Sequence, residues 1–313
     1  MKLTGLIIAA GLVTTPIVAL SQDEHTATQI DTTVALDRGG SVDLSLISGR
    51  IRVTGWDRND VKISATIESG YLRFSSNSSR VTLSVDDEGG GGRHRNHNIG
   101  DARYEVSVPR GARLILEAVS GDITASGSQG EIEASSVSGD ADVADGVRSV
   151  SVESVSGAAH AARVNGNLRI ETVSGDLKAE NVTGDLEASS VSGDMGLTGI
   201  QSKDVRTESV SGTIRYTGAL EPSGRYSFES HSGTITLNIP RNAGAQFSVE
   251  TFSGGVNADF PITIQPRDRG TSRNREGHME FTIGDGRARV TAQTFSGEIV
   301  INSSGSTTRR NDD

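Results

Sequence analysis

Several residue types are absent from the sequence or scarce in it, and each absence excludes a class of structure or site. None of the 313 residues is cysteine, so disulfide bonds, thiolate-bound metals and a lipid anchor on cysteine are all excluded. Aromatic residues make up 4% of the chain, which leaves few of the flat platforms on which sugar rings stack. The formal net charge is −10, whereas a nucleic-acid partner requires clustered Lys and Arg. Stability must therefore come from backbone hydrogen bonds and packing, and no nucleic-acid partner is expected.

Long apolar runs are also scarce, and the first of them lies near the N-terminus. Lys2 supplies a positive charge before the apolar run from Leu6 to Val13, which is shorter than the roughly 20 residues that cross a bilayer. The small residues Ala19 and Ser21 fit a cleavage site. The sequence therefore predicts a signal peptide over residues 1–21 rather than a membrane anchor. It also predicts a mature chain without a transmembrane segment.

A Ser-Gly step recurs through the middle of the chain with a period of 18 residues. Its glycines are Gly121, Gly139, Gly157, Gly175 and Gly193, and Gly130, Gly166 and Gly184 lie halfway between them. Apolar residues follow each glycine at two, four and seven positions, as Leu168, Ile170 and Val173 follow Gly166. Alternation at the first two positions is typical of a half-buried strand. The wider gap before the next Ser-Gly step indicates a corner, where glycine tolerates a positive φ.

This pattern predicts an all-β protein, namely a parallel β-solenoid built from 9- and 18-residue Ser-Gly-Asp repeats, with longer strands at its ends. A helix would need apolar residues at i, i+3, i+4 and i+7, and a glycine every nine residues would destabilise it. An antiparallel β-sandwich is the structural alternative. It is less favoured because hairpins do not require so strict a repeat.

The repeat also predicts how the chain is divided. We assign residues 22–31 to a linker and residues 32–302 to the repetitive solenoid. Two loops rich in Gly and Arg are expected within it, over residues 86–101 and 266–280. The small polar residues over 303–313 predict a disordered tail.

Several segments resemble the bacterial putative-adhesin family. They are the repeated Val-Ser-Gly-Asp steps, the segment Ile51-Arg52-Val53-Thr54-Gly55-Trp56-Asp57-Arg58 followed by Val61, and the segment Leu237-Asn238-Ile239-Pro240. The resemblance extends from Thr32 to Ile301, over most of the predicted mature chain. It implies an exported β-solenoid domain of unknown function in the cell envelope. The family has no established catalytic residues that could be transferred to this chain.

One series of carboxylates has the chemistry of a calcium site. Its members are Asp122, Asp140, Asp176, Asp185 and Asp194. Calcium-binding nonapeptide solenoids, however, use Gly-Gly-x-Gly-x-Asp, in which turn carbonyls join each carboxylate. Each step of this chain has one Gly and one Asp, so we favour hydrogen bonds from the turn backbone to the Asp side chains.

Two further groups of side chains lie in the predicted loops. His94 and His97 with Asp101 lack a third strong metal ligand at a suitable spacing, so an exposed polar loop is favoured. An arginine group could contact anionic lipid, although a solvated loop that discourages edge pairing is favoured. Its members are Arg267, Arg269, Arg273 and Arg275. We therefore predict no catalytic, cofactor-binding or metal-binding residues and no cofactor.

These observations predict a non-catalytic exported envelope protein. It would act as an interaction scaffold that presents a long repetitive β surface to envelope or extracellular proteins or glycans. The periplasm is favoured over the cell surface, because no second domain for passage through an outer membrane is visible. The alternative is a carbohydrate-active β-solenoid enzyme, a lyase or glycosidase, which would need a groove lined by a carboxylate pair. The partner, the oligomeric state and the hand of the solenoid are left open by the sequence.

Overall fold

The computed structural model of the protein describes residues 25–86, 99–260, 263–264 and 278–304. The predicted signal peptide lies outside these residues, as do most of the two predicted loops and most of the predicted tail. Within the described residues the chain forms strands joined by turns, and it contains no helix.

Seven strands precede the regular repeat. They are β1 (His25–Ala27), β2 (Gln29–Ala35), β3 (Ser41–Trp56), β4 (Asp60–Ile67), β5 (Tyr71–Ser76), β6 (Arg80–Asp86) and β7 (Ala102–Pro109). The repeat itself comprises β8 (Arg113–Ser126), β9 (Ile132–Ser136), β10 (Ala141–Ala144), β11 (Ser149–Ser154), β12 (Ala159–Asn165), β13 (Asn167–Ser174), β14 (Leu177–Thr183), β15 (Leu186–Ser192), β16 (Met195–Ile200), β17 (Asp204–Ser211), β18 (Ile214–Gly218), β19 (Arg225–Ser232) and β20 (Ile235–Pro240). The C-terminal strands are β21 (Ala245–Ser253), β22 (Val256–Ala258), β23 (Thr263–Ile264), β24 (His278–Ile283), β25 (Ala288–Ser296) and β26 (Ile299–Ser304).

Each coil of the repeat contributes one strand to each of two parallel ladders. In the first ladder, β13 lies between β11 and β15, and Leu168 pairs with both Val150 and Leu186, one coil of 18 residues away in each direction. The second ladder contains β10, β12, β14, β16, β18 and β20 in the same arrangement. The long strands β3 and β8 turn the corner and pair in both ladders. The predicted parallel β-solenoid is therefore confirmed, and the antiparallel β-sandwich is not the fold.

The core lies between the two ladders and is filled by the alternating apolar positions. Residues two and four positions after each glycine point inward, as the sequence predicts, and Leu168 and Ile170 are buried. Towards the C-terminal end the coils lengthen, because Leu186 pairs with Val205 and Val205 with Tyr226. Larger side chains fill the interior there, and Tyr216 packs edge-on against Tyr226 and Phe228. The buried phenol of Tyr216 donates a hydrogen bond to the carbonyl oxygen of Ala219 at 2.7 Å.

Both ends of the stack are closed by antiparallel strands. At the N-terminal end, β3 lies inside the stack between β8 on one side and β6 and β7 on the other. Antiparallel pairs β2–β4, β4–β7, β5–β6 and β1–β5 complete that end. At the C-terminal end, β25 and β26 are inserted between β19 and β20 on one side and β21 and β22 on the other. The strand β24 then runs antiparallel to β21. These pairings cover the open ladder edges that favour aggregation.

The bounds of three predicted segments differ from the structure. Strand β1 and the start of β2 lie within the predicted linker over 22–31, because they pair with β5 and β4. Strand β24 begins at His278, inside the loop predicted over 266–280, because it pairs with β21. Strand β26 continues to Ser304, past the predicted end at 302. In each case the segment forms a strand because it pairs with a strand that is distant in the sequence. Local composition does not reveal such a pairing.

Glycine in the Ser-Gly step is required by the close approach of neighbouring coils. A Cβ atom added at Gly157 would lie 2.2 Å from the carbonyl oxygen of Gly139, and one at Gly175 would lie 2.0 Å from that of Gly157. The same contact recurs at each later step of the first ladder, at Gly193, Gly212, Gly233, Gly254 and Gly297. A positive φ adds to this requirement only at Gly49 and at the steps from Gly193 onward, such as Gly212 at 129°. The repeated glycine therefore sets how closely the coils can stack.

This contact predicts that Gly157→Ala destabilises the protein by about 1–3 kcal/mol, because the backbone must move to admit the methyl group. Gly111→Ala is the matched control, since a Cβ atom there meets nothing within 4 Å, and it should change stability by less than about 0.5 kcal/mol. Urea unfolding followed by circular dichroism measures both. Equal stability of the two variants would contradict the proposed role of the glycine column.

Candidate interaction groove

An exposed apolar column follows one corner of the solenoid along the length of the stack. In each Val-Ser-Gly step the valine points outward, and its exposure is 42% at Val173 and 49% at Val210. The pairs Ser136–Ser154 and Ser154–Thr172 place Val137, Val155 and Val173 on adjacent rungs. We call this column the corner ladder. Its members in spatial order are Ile47, Val119, Val137, Val155, Val173, Val191, Val210, His231, Phe295 and Phe252.

The corner ladder reveals a difference between the two ladders that the sequence pattern does not show. The seventh position after each glycine is apolar in both ladders, yet Val182 in the second ladder is buried whereas Val173 in the first ladder is exposed. In the first ladder the preceding residue, such as Thr172, points into the core. Side chains of a strand alternate between its two faces, so the next residue must point out. At ~4.8 Å per rung, the corner ladder spans about 43 Å.

Aromatic rings complete the corner ladder at its C-terminal end. The ring of Phe295 stacks on Phe252 with centroids 4.8 Å apart and on His231 with centroids 5.1 Å apart, in both cases with planes within 5° of parallel. Phe252 is 77% exposed. The sequence offered no signal for this stack, since the three residues lie on strands whose spatial order differs from their order in the chain.

A column of hydroxyl side chains lies directly beneath the corner ladder. In its first part each hydroxyl donates to a glycine carbonyl of the neighbouring coil, at 3.0 Å from Ser154 to Gly139 and 3.4 Å from Thr172 to Gly157. Further along, four hydroxyls have no hydrogen-bond partner within the described residues, although their side chains are at least nine-tenths buried. They belong to Ser190, Ser209, Ser230 and Thr294, whereas Thr251 at the end of the column again donates to a glycine carbonyl, that of Gly297, at 3.4 Å. The backbone conformation of the corner also changes in this part of the stack, because the glycines of the Ser-Gly steps have a positive φ from Gly193 onward.

A row of carboxylates lies on the other side of this hydroxyl column. Glu208, Glu229 and Glu250 each precede a member of the corner ladder by two residues, so they share its face of the strand. Glu208 pairs with Arg206 at 2.6 Å, and Glu229 accepts a hydrogen bond from the Ser227 hydroxyl at 3.1 Å. Together the carboxylates and the corner ladder line an open groove of about 670 Å³. A smaller groove of about 390 Å³ follows the N-terminal part of the ladder, beside Ile47 and Val119.

The sequence matches the family model of Toastrack DUF4097 over residues 42–302. The chain belongs to this family. The match confirms the predicted resemblance to a repetitive adhesin-like domain, and Toastrack brings no assigned activity with it. Among solved structures, the crystal structure of a putative cell adhesion protein from Clostridium sporogenes ATCC 15579 matches with 10% identity and a TM-score of 0.28. That match covers 88% of this chain and 100% of the other. No curated protein matches the sequence.

The carboxylates of the Ser-Gly-Asp steps accept hydrogen bonds from backbone N–H groups of the Toastrack stack. Asp140 accepts a hydrogen bond from the N–H of Ala158 at 2.8 Å, and Asp194 accepts one from Thr213 at 2.9 Å. The predicted bonding to the turn backbone is confirmed, although each donor belongs to the next coil. Asp185 follows Gly184 in the opposite corner and is not part of this column. No group of three or more metal-ligating side chains is assembled in the part of the chain that the structure describes.

Most of the candidate side chains in the two predicted loops lie outside the described residues. These are His94, His97, Arg267, Arg269, Arg273 and Arg275. Asp101 is described, and it accepts a hydrogen bond from the hydroxyl of Ser48. The described residues contain no helix that is long and apolar enough to cross a membrane.

Because the seventh-position valine is buried in one ladder and exposed in the other, the same substitution should change the free energy of unfolding by different amounts in the two ladders. Val182→Thr should destabilise the Toastrack fold by about 1–3 kcal/mol, because it buries a hydroxyl without a partner. Val173→Thr should change stability by less than about 0.5 kcal/mol, because its side chain faces solvent. Urea unfolding of both variants is the measurement. A loss at Val173 as large as that at Val182 would contradict the outward orientation of the corner ladder.

The backbone role of the aspartates predicts that divalent cations do not contribute to stability. We expect the thermal midpoint of the protein to be the same in excess calcium and in excess chelator. A bound ion would stabilise the native state and raise the midpoint, whereas these carboxylates already accept hydrogen bonds from the backbone. Differential scanning calorimetry measures the two midpoints. An increase with calcium would show that the Asp column binds the ion.

Proposed function

We propose that the protein is a non-catalytic interaction scaffold of the bacterial cell envelope and that the corner ladder is its contact surface. The observation that carries this proposal is an exposed column along the first ladder from Ile47 to Phe252, which is apolar on every rung except that of His231. Soluble proteins rarely expose contiguous apolar surface unless it contacts a partner. A stack of coils also holds such a column rigid over its whole length.

Export is part of the proposal. It is supported by the N-terminal sequence, whose residues 1–21 have the features of a signal peptide. We propose the periplasm as the compartment, and envelope proteins or glycans as the class of partner. An acidic protein with a net charge of −10 is repelled by anionic surfaces. The apolar column therefore provides a specific contact rather than a general attraction to the envelope.

A carbohydrate-active enzyme is the second candidate, because the groove places Glu208 and Glu229 on adjacent strands. Glycosidases divide the roles of acid and base or nucleophile between two carboxylates in different environments. The raised pKa of such an acid usually comes from an apolar pocket. The side chain of Glu208 is instead 50% exposed and paired with an arginine. The geometry therefore supports a scaffold better than a hydrolase.

Site-specific photo-crosslinking in the native cells tests the proposal. A photoreactive residue at position 173, on the corner ladder, should form a discrete crosslinked product that is recovered in the periplasmic fraction. The same residue at position 147 is the control, because Val147 is also exposed, at 41%, but lies outside the corner ladder. Equal crosslinking at both positions, or at neither, would overturn the proposed contact surface. A product found in the cytoplasmic fraction would overturn the proposed export.

A further inference from the structure

The groove near the C-terminal end differs from the rest of the corner ladder in two respects. Its hydroxyl column has no partners at Ser190, Ser209 and Ser230, and aromatic rings replace valine on the ladder. Earlier in the stack, the corresponding hydroxyls of Ser136 and Ser154 bond to glycine carbonyls. The properties of a binding site are therefore concentrated between Ser190 and Phe252.

We propose that this groove binds an extended polypeptide segment in which basic and apolar side chains alternate. The inference rests on the proposed function and names the chemistry of the partner. It follows from the two walls of the groove, which run parallel to each other along the stack and have different chemistry. The acidic wall consists of Glu208, Glu229 and Glu250, with the neutral Gln293 between the last two. The opposite wall, which is apolar apart from His231, consists of Val191, Val210, His231, Phe295 and Phe252.

The acidic wall retains unneutralised charge. Glu208 is paired with Arg206, whose charge also acts on Glu229, but neither Glu229 nor Glu250 forms an ion pair within 4.0 Å with a Lys or Arg of the described residues. The Nδ1 atom of His278 lies 4.0 Å from the carboxylate of Glu250. Lys or Arg side chains of a partner would complement this wall, whereas phosphates and anionic lipids would be repelled.

The geometry of an extended chain matches the pair of walls. Successive side chains of a strand point to opposite sides, so an alternating sequence directs one row of side chains to the carboxylates and the other to the apolar wall.

The central ring of the aromatic stack, Phe295, favours a polypeptide over a glycan. A sugar ring stacks on the face of an aromatic side chain. The faces of Phe295 are covered by Phe252 and His231, so this ring presents only its edge to the groove. Apolar side chains pack against such an edge without a requirement for a free face.

The test uses the full mature protein and a fluorescent synthetic peptide of alternating Lys and Leu, with binding measured by anisotropy. A peptide of the same composition, with its Lys and Leu residues in separate blocks, should bind at least about fivefold more weakly, because only the alternating peptide reaches both walls. Addition of salt should weaken binding, since part of the attraction is between exposed charges.

Two pairs of variants distinguish binding in the groove from a general attraction of the basic peptide to the acidic protein. Glu229→Gln with Glu250→Gln should weaken binding by about five- to tenfold, and Glu105→Gln with Glu180→Gln by less than about twofold, although both remove two charges. Glu105 and Glu180 are exposed on the second ladder. Val210→Thr should weaken binding more than Val147→Thr. All four proteins should share one thermal midpoint, because every altered side chain lies at the surface.

Three results would overturn the inference. They are equal loss of binding in both glutamate pairs, equal affinity for the alternating and block peptides, and displacement of the peptide by a neutral oligosaccharide that itself binds the groove. If crosslinks at position 173 form in cells while the peptide fails to bind, the proposed scaffold stands and this inference falls.

Discussion

The contact between glycine residues of successive coils is the constraint on which the rest of the structure depends. A carbonyl oxygen of one coil occupies the space that a side chain would take on the next, as at Gly139 and Gly157. Because the corners approach so closely, the strands on both sides are held in register over the whole stack. The hydroxyl column, the aspartate column and the corner ladder all inherit their alignment from this contact.

Ion pairs between side chains of neighbouring coils add a small contribution to this alignment. Arg163 pairs with Asp145 one coil away, and this guanidinium lowers the pKa of the Asp145 carboxyl below its usual value. Arg169 pairs with Glu187 across the same interval. Such exposed pairs contribute little to stability, because solvent screens them. They add specificity of register to a stack whose stability comes mainly from buried Leu, Ile and Val.

The period of the repeat was enough to predict the solenoid, the strand positions and the inward residues such as Leu168 and Ile170. It could not show that Val173 is exposed while Val182 is buried, because both occupy the same place in the nine-residue pattern. That difference depends on whether the residue before the valine points into the core, as Thr172 does before Val173. The groove was also invisible in the sequence, since its carboxylates and rings come from strands that are adjacent only after β25 is inserted between β19 and β21.

The insertion of β25 and β26 has a consequence for the order of events during synthesis. The residues of β21 and β22 leave the ribosome before the strands that join them to the body of the stack. Until the final rung arrives, the body ends at β19 and β20 with unpaired backbone groups, and the terminal cap has no neighbour on which to stack. The C-terminal end of the stack therefore cannot form its parallel pairings until β25 and β26 have been synthesised.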